Sequence, residues 1–164
     1  MRPPVVVIGI GNPYRRDDGI GPAVIQRLRA AGLPSDVLAE SDGEAGALIL
    51  LWQRRRLAIL VDAVRADPPH PGRIHRTAAP PPESCGPPTS THAVDPGDAV
   101  TLARTLGRLP ARLVVYGVEA ADTDFGTGLS PGVAEAADRL AARIAAEVLS
   151  LVYGPRAPHD AGAW

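Results

Sequence analysis

The sequence predicts a three-layer α/β/α fold, in which helices cover both faces of a mostly parallel, twisted sheet of five strands. Short apolar runs rich in β-branched residues alternate along the chain with segments whose apolar residues recur at helical spacing. The third and fourth predicted strands are separated by only about ten residues, too few for a helical crossover between parallel neighbours. The fourth strand is therefore expected to be antiparallel and to lie at an edge.

The first strand is predicted at residues 5–10, where a continuous apolar run is typical of a strand buried on both faces of a parallel sheet. After a loop, apolar residues at helical spacing from Ile20 predict a helix that stops before Gly32. Residues 36–41 predict a short second strand. Asp42 is the expected N-cap of the second helix.

The third strand is predicted from Leu57 to Val61, ending at Asp62, because this run is again continuously apolar. Residues 72–77 form the predicted edge strand. Prolines crowd the next segment, so residues 78–90 are expected to form a mobile loop within the domain.

Helix-start signals define the C-terminal part of the chain. Asp95 as N-cap and Pro96 at the first helical position predict the third helix. The last strand is predicted at residues 113–118. Ser130 and Pro131 then start a long fourth helix with one apolar face.

Composition indicates one cytoplasmic domain, at residues 1–153, followed by a Pro-, Gly- and Ala-rich tail at 154–164 that is expected to be disordered. The net charge is -1 and all 17 basic residues are arginine, a pattern that argues against nucleic-acid binding. No apolar segment is long enough to cross a membrane, and the N-terminus lacks the features of a signal peptide. The single cysteine, Cys85, excludes an internal disulfide and fits a reducing compartment.

Three polar residues are predicted to meet at the rim where the parallel strands end, the place where open α/β sheets bind ligands. Asp18 follows the first strand, Asp62 ends the third, and His92 precedes the third helix. Two carboxylates and an imidazole can bind a divalent ion such as nickel, zinc or iron. The alternative is that the aspartates are caps and the histidine is solvated. Because neighbouring loop residues point apart, Asp18 rather than Asp17 is expected to face the site.

The glycine-rich loop at residues 9–13 also suggests dinucleotide binding, since it lies between a strand and a helix. Tyr14 occupies the position of the third glycine of that motif, and Pro13 removes a backbone N–H. Asp17 and Asp18 would also repel a pyrophosphate. These features disfavour a nucleotide site.

The remaining polar residues carry weaker signals. Cys85 lacks a sequence-linked histidine and is interpreted as a loop thiol. His75, in the edge strand, and His159, in the tail, are expected to be solvated. Arg15 and Arg16 could contact substrate carboxylates or backbone.

Over about residues 4–152, the chain resembles the hydrogenase maturation protease family. The segments that carry the resemblance occur in the family's order. They are Gly9-Ile10-Gly11-Asn12-Pro13, Asp17-Asp18-Gly19-Ile20-Gly21, Asp42-Gly43-Glu44-Ala45-Gly46, Val61-Asp62-Ala63-Val64, Ser90-Thr91-His92, Tyr116-Gly117-Val118-Glu119 and Gly128-Leu129-Ser130-Pro131.

The resemblance implies an endopeptidase that removes the C-terminal extension of a NiFe hydrogenase large-subunit precursor. It also implies that Asp18, Asp62 and His92 recognise nickel already inserted into that precursor. The nickel is then supplied by the substrate, no permanent cofactor is expected, and other divalent cations can occupy the site.

The resemblance further implies that Asp42, Gly43 and Gly46 help to select the substrate, although a strand-to-helix turn explains the same residues. The segment at residues 93–98 departs from the family pattern and leaves the hydrogenase class open. The catalytic nucleophile, the cleavage site and the oligomeric state are not defined by the sequence.

Two other functions remain open for the same three residues. One is a metallohydrolase that holds its own divalent ion and uses it to activate water. The other is a non-catalytic chaperone that senses nickel occupancy in a partner.

Overall fold

The structure, a computed structural model, describes residues 2–79 and 96–154. The strands in these ranges are β1 (Val5–Ile10), β2 (Leu38–Ser41), β3 (Leu57–Val64), β4 (Ile74–Ala79) and β5 (Arg112–Glu119). The α-helices are α1 (Ile20–Ala30), α2 (Ala45–Trp52), α3 (Pro96–Thr105) and α4 (Pro131–Tyr153). Short 3-10 helices lie at Arg16–Gly19 and Ser35–Val37.

The strands form one sheet in the order β2-β1-β3-β5-β4. The first four of these strands are parallel, and β4 is antiparallel to β5 at the edge. The connection from β3 to β4 contains no helix, so the chain reverses direction instead of crossing over. The predicted fold class and the antiparallel edge strand are therefore confirmed.

Helices cover both faces of the sheet and create two apolar layers. On one face α1 and α4 pack together over the strands, and on the other α2 packs with α3. Buried residues of the first layer include Val24, Leu28, Ile59, Tyr116, Leu140 and Ile144. Those of the second layer include Ile8, Leu48, Trp52, Leu60, Ala99 and Leu113.

Helix α1 lies directly on β1, because glycines meet at the contact. A Cβ atom built on Gly9 would collide with the carbonyl of Gly21 and would lie 2.7 Å from Cγ1 of Ile25. This close approach places the start of α1, and the 3-10 helix before it, at the carboxyl end of β1.

The N-cap predicted for the second helix was wrong. The cap is Glu44, whose carboxylate accepts hydrogen bonds from the backbone N–H groups of Gly46 and Ala47, both at 2.8 Å. Asp42 instead accepts from the N–H of Glu44 at 3.0 Å and closes a turn around Gly43, whose φ is 95°. The longer glutamate reaches the free helix N–H groups from a position closer to the helix.

Several element boundaries also differ from the predictions. The third strand continues past Asp62 to Val64, because its pairing with β5 extends to the Val64–Glu119 pair. The edge strand ends at Ala79, so residues 78 and 79 are strand and not loop. The rest of the predicted mobile loop, including Cys85, lies outside the described residues, as do His92, Asp95 and His159.

None of the helices within the described ranges is long and apolar enough to span a membrane.

Candidate functional site

The loop between β1 and α1 folds back on itself and holds Asp18 in place. Oδ2 of Asp18 accepts a hydrogen bond from the backbone N–H of Asn12 at 2.9 Å. The side chain of Asn12 in turn accepts from the N–H of Tyr14 at 2.9 Å. Gly11 has a φ of 133°, and its Cα packs on the carbonyl of Asp18, which leaves no room for a side chain. The carboxylate of Asp18 is partly exposed at this rim.

The neighbouring Asp17 is completely buried and is bound by the loop between β5 and α4. Its carboxylate accepts from the N–H groups of Ala121 and Asp122 at 2.9 and 3.0 Å. It also accepts from the N–H and the hydroxyl of Ser130 at 2.7 and 2.8 Å. Burial alone would raise the pKa of Asp17, but these hydrogen bonds outweigh it, so the pKa lies below the usual 3.8. Asp17 therefore joins two loops.

Asp62 lies near the end of β3, on the face of the sheet covered by α2 and α3. Leu60 is two residues earlier on the strand and therefore points to the same face, where it belongs to the apolar layer. Its Oδ1 accepts from the N–H of Ala63 at 2.8 Å, and the residue is partly exposed.

The structure places Asp18 and Asp62 at the same rim of the sheet. The 3-10 helix that contains Asp18 contacts β3, and Asp62 is one residue beyond the Gly9–Val61 pair that joins β1 to β3. Because His92 is outside the described residues, the meeting of all three side chains at one ion stays a prediction. Within residues 2–79 and 96–154, no three His, Cys, Asp or Glu side chains are grouped so that they could hold a metal.

Arg15 and Arg16 both bind the loop at residues 122–126. The guanidinium of Arg15 donates to the carbonyl of Thr123 at 3.2 Å and stacks 5.3 Å from the centre of the Phe125 ring. Arg16 forms an ion pair with Asp122 at 3.5 Å. The two arginines thus connect the loop after β1 to the loop after β5. Their predicted contact with substrate stays a prediction.

The segment with Asp42, Gly43 and Gly46 connects β2 to α2 at the same rim. A backbone hydrogen bond of 3.1 Å from Gly11 to the carbonyl of Ser41 ties this segment to the loop that holds Asp18. A cleft of about 660 Å³ opens between the edge strand β2 and α2, and Asp42 is one of its lining residues.

A second polar cluster lies at β4 and β5, on the same face of the sheet as Asp62, and the sequence analysis did not predict it. Glu119, at the end of β5, is only 2% exposed. Its Oε1 lies 2.7 Å from Nε2 of His75, and its Oε2 accepts from the N–H of His70 at 2.6 Å. The hydrogen bonds from His75 and His70 hold the pKa of Glu119 below its usual value.

The expectation that His75 is solvated was therefore incomplete, since its half-exposed ring binds a buried carboxylate. The sequence offered one usable signal, namely the antiparallel edge strand. Its register brings residues 74–79 next to β5, but a shift of one residue would turn His75 to the other face.

A family model described as hydrogenase maturation protease matches residues 43–147, more than half of the chain. The chain belongs to the hydrogenase maturation protease family. The resemblance to this family, predicted from the sequence, is thereby confirmed. The matched range includes Asp62 and His92, whereas Asp18 precedes it.

Individual members of the family are also similar to this chain. The hydrogenase expression/formation protein HupD of Thiocapsa roseopersicina is 30% identical over 138 residues, which cover 81% of this chain and 62% of HupD. The chain thus spans less than two thirds of the length of this relative.

Solved structures of the family share the fold. The [NiFe] hydrogenase maturation protease HycI of Thermococcus kodakarensis superposes with a TM-score of 0.64 at 28% identity, covering 89% of this chain and 92% of HycI. The hydrogenase maturating endopeptidase HybD of E. coli superposes with a TM-score of 0.73 at 22% identity, covering 92% and 94% of the two chains.

Proposed function

We propose that this member of the hydrogenase maturation protease family is an endopeptidase that removes the C-terminal extension of a nickel-loaded NiFe hydrogenase large-subunit precursor. Asp18, Asp62 and His92 recognise the nickel inside that substrate. Family membership carries the peptidase part of the proposal. The position of Asp18 and Asp62 on adjoining elements at the carboxyl rim supports the recognition part.

The chemistry of the three side chains suits this role. Two carboxylates and one imidazole offer oxygen and nitrogen ligands that nickel accepts, and three protein ligands leave positions for groups of the substrate. Backbone N–H groups orient both carboxylates at the rim, that of Asn12 for Asp18 and that of Ala63 for Asp62. Asp17 does not compete for the ion, because four hydrogen bonds already occupy its buried carboxylate.

Substrate choice is assigned to the Asp42–Gly46 segment. Asp42 of this segment lines the cleft between β2 and α2, and the segment is hydrogen-bonded to the loop that carries Asp18. A part of the substrate that binds in the cleft therefore lies close to the proposed nickel contact. Replacing Asp42 with alanine is expected to change which precursors are cleaved without abolishing cleavage of every precursor.

The proposal is tested by incubating purified protein with nickel-loaded and nickel-free precursor and measuring the precursor's mass. Wild-type protein should shorten only the nickel-loaded form. Asp18→Asn and Asp62→Asn keep a side-chain oxygen for the local hydrogen bond but lose the negative charge. Each variant should reduce the cleavage rate by about 10- to 100-fold or more. Mutating residues that only support the ligands of a metal site already causes a loss of about this size.

His92→Ala should reduce the rate to a similar extent. Asp124→Asn is the matched control, because it makes the same chemical change at an exposed position of the rim. A thermal melt of each variant separates lost recognition from lost folding.

Other outcomes identify the competing functions. A stoichiometric ion in protein purified without substrate, with cleavage that ignores nickel in the precursor, would favour a metallohydrolase. Stable binding of nickel-loaded precursor without any change in its mass would favour a sensor. Wild-type rates in folded Asp18→Asn and Asp62→Asn variants would reject the nickel-recognition role.

A further inference from the structure

The register of the sheet places His75 on the same face as Asp62, with β5 between their strands. Asp62 on β3 pairs with Gly117 on β5, and Gly117 pairs with His75 on β4. Residues directly opposite one another share a face, so Asp62 and His75 lie on the same face, two strand spacings or about 10 Å apart between Cα atoms. Gly117 has no side chain between them. A Cβ atom there would lie 2.8 Å from a methyl group of Val64, so this methyl packs directly on Gly117.

Glu119 is built to hold the ring of His75. The carboxylate is buried, whereas the side chain of His75 is 52% exposed, so the pair has an inner anionic end and an outer imidazole. The N–H of His70 holds the second carboxylate oxygen at 2.6 Å. When Nε2–H of the neutral ring donates to this carboxylate, Nδ1 is the nitrogen that can accept a proton.

The charged and titratable groups around the pair come from the loop before β4 and from β3. His70 and Arg73 precede β4; the ring of His70 is 3.8 Å from Glu119, and Arg73 acts on Glu119 through its charge. Asp62 shares the face from β3.

We infer that His75 is the general base and general acid of the cleavage step, and that Glu119 is the residue that positions it. This inference rests on the proposed peptidase activity. Nδ1 of His75 takes a proton from water as the water oxygen bonds to the scissile carbonyl carbon. When the carbon–nitrogen bond breaks, its electron pair stays on the nitrogen, and the imidazolium returns the proton to that nitrogen. The products are a carboxylic acid and an amine.

The test compares His75→Gln with Arg76→Gln in the cleavage assay on nickel-loaded precursor. Glutamine at position 75 can still donate a hydrogen bond to Glu119 but cannot act as a base. We expect kcat to fall by about 10²- to 10⁴-fold with KM nearly unchanged. Arg76→Gln introduces the same side chain one position along β4, where it is exposed on the opposite face of the strand, so its kcat should stay close to wild type.

Two further readouts exclude a purely structural role. Added imidazole should restore part of the activity of His75→Ala, because it supplies the missing base. The acid limb of the kcat–pH profile should be absent from the residual activity of His75→Gln. In Glu119→Gln kcat should fall with KM nearly unchanged, because the amide no longer holds the ring of His75 as the carboxylate does.

The outcomes separate this inference from the proposed function. Wild-type protein that leaves nickel-loaded precursor intact would overturn both. Cleavage by wild type together with a kcat near wild type in His75→Gln, or with a loss confined to KM, would overturn only the role of His75.

Discussion

Replacing Asp17 with asparagine should destabilise the protein strongly without removing any side-chain volume. The carboxylate is completely buried and accepts four hydrogen bonds, three from backbone N–H groups and one from the hydroxyl of Ser130. An asparagine has one oxygen to accept these bonds, and its amide nitrogen must face at least one of the backbone N–H groups.

The expected magnitude follows from those contacts. One buried donor without an acceptor costs about 1–3 kcal/mol, and the remaining bonds lose the strengthening that a charged acceptor provides, so the total is roughly 2–4 kcal/mol. For a chain of this length each kcal/mol lowers the melting temperature by about 2–4 °C, giving a decrease of roughly 5–15 °C.

The assay is a thermal melt of wild type, Asp17→Asn and the exposed control Asp124→Asn at several pH values. The pKa of Asp17 lies below the usual 3.8, so its stabilising contribution is complete above pH 3.8 and disappears as the pH falls through the lower folded value. The difference between wild type and Asp17→Asn should therefore be largest near neutral pH and shrink in acid. Equal melting temperatures for the two variants near pH 7 would refute the anchoring role of Asp17.

Three further predictions concern the packing that supports the rim. Trp52→Phe removes an indole N–H that donates to the carbonyl of Arg108 at 3.1 Å, and it should cost about 1–3 kcal/mol in urea denaturation. Glu44→Ala removes both N-cap hydrogen bonds of α2 and should lower the free energy of unfolding by about 0.5–2 kcal/mol, measured in the same way. Leu140→Ala should cost about 2–5 kcal/mol because the side chain is 1% exposed on α4, whereas Leu149→Ala, 45% exposed on the same helix, should change the unfolding midpoint far less.

Local sequence patterns were sufficient for most of the fold. Continuous apolar runs predicted the central strands, because a parallel sheet covered on both sides buries alternate residues on both faces. Pro131 predicted the start of α4, because its fixed φ favours the first helical turn. The short β3–β4 connection predicted an antiparallel edge, because a crossover needs more chain.

Local patterns were also sufficient to select two candidate residues at the rim. Asp18 and Asp62 follow or end strands whose direction the pattern already implied, so their rim could be predicted without coordinates. The N-cap of α2 could not be chosen in the same way, because Asp42 and Glu44 are both acceptors close to the helix start and only the backbone path decides between them.

The tertiary structure alone decided which polar groups are partners. Asp17 and Ser130 are 113 positions apart, and Glu119 and His75 are 44 apart, so no periodicity or spacing rule connects them. These contacts depend on the register of β4 against β5 and on where the loop before α4 meets the loop after β1. The sequence by itself determined which segments form strands and helices, because those preferences are local. The donors to the buried carboxylates depend on packing. A buried charge is stable only when it is hydrogen-bonded, and the tertiary fold decides which donors lie within reach.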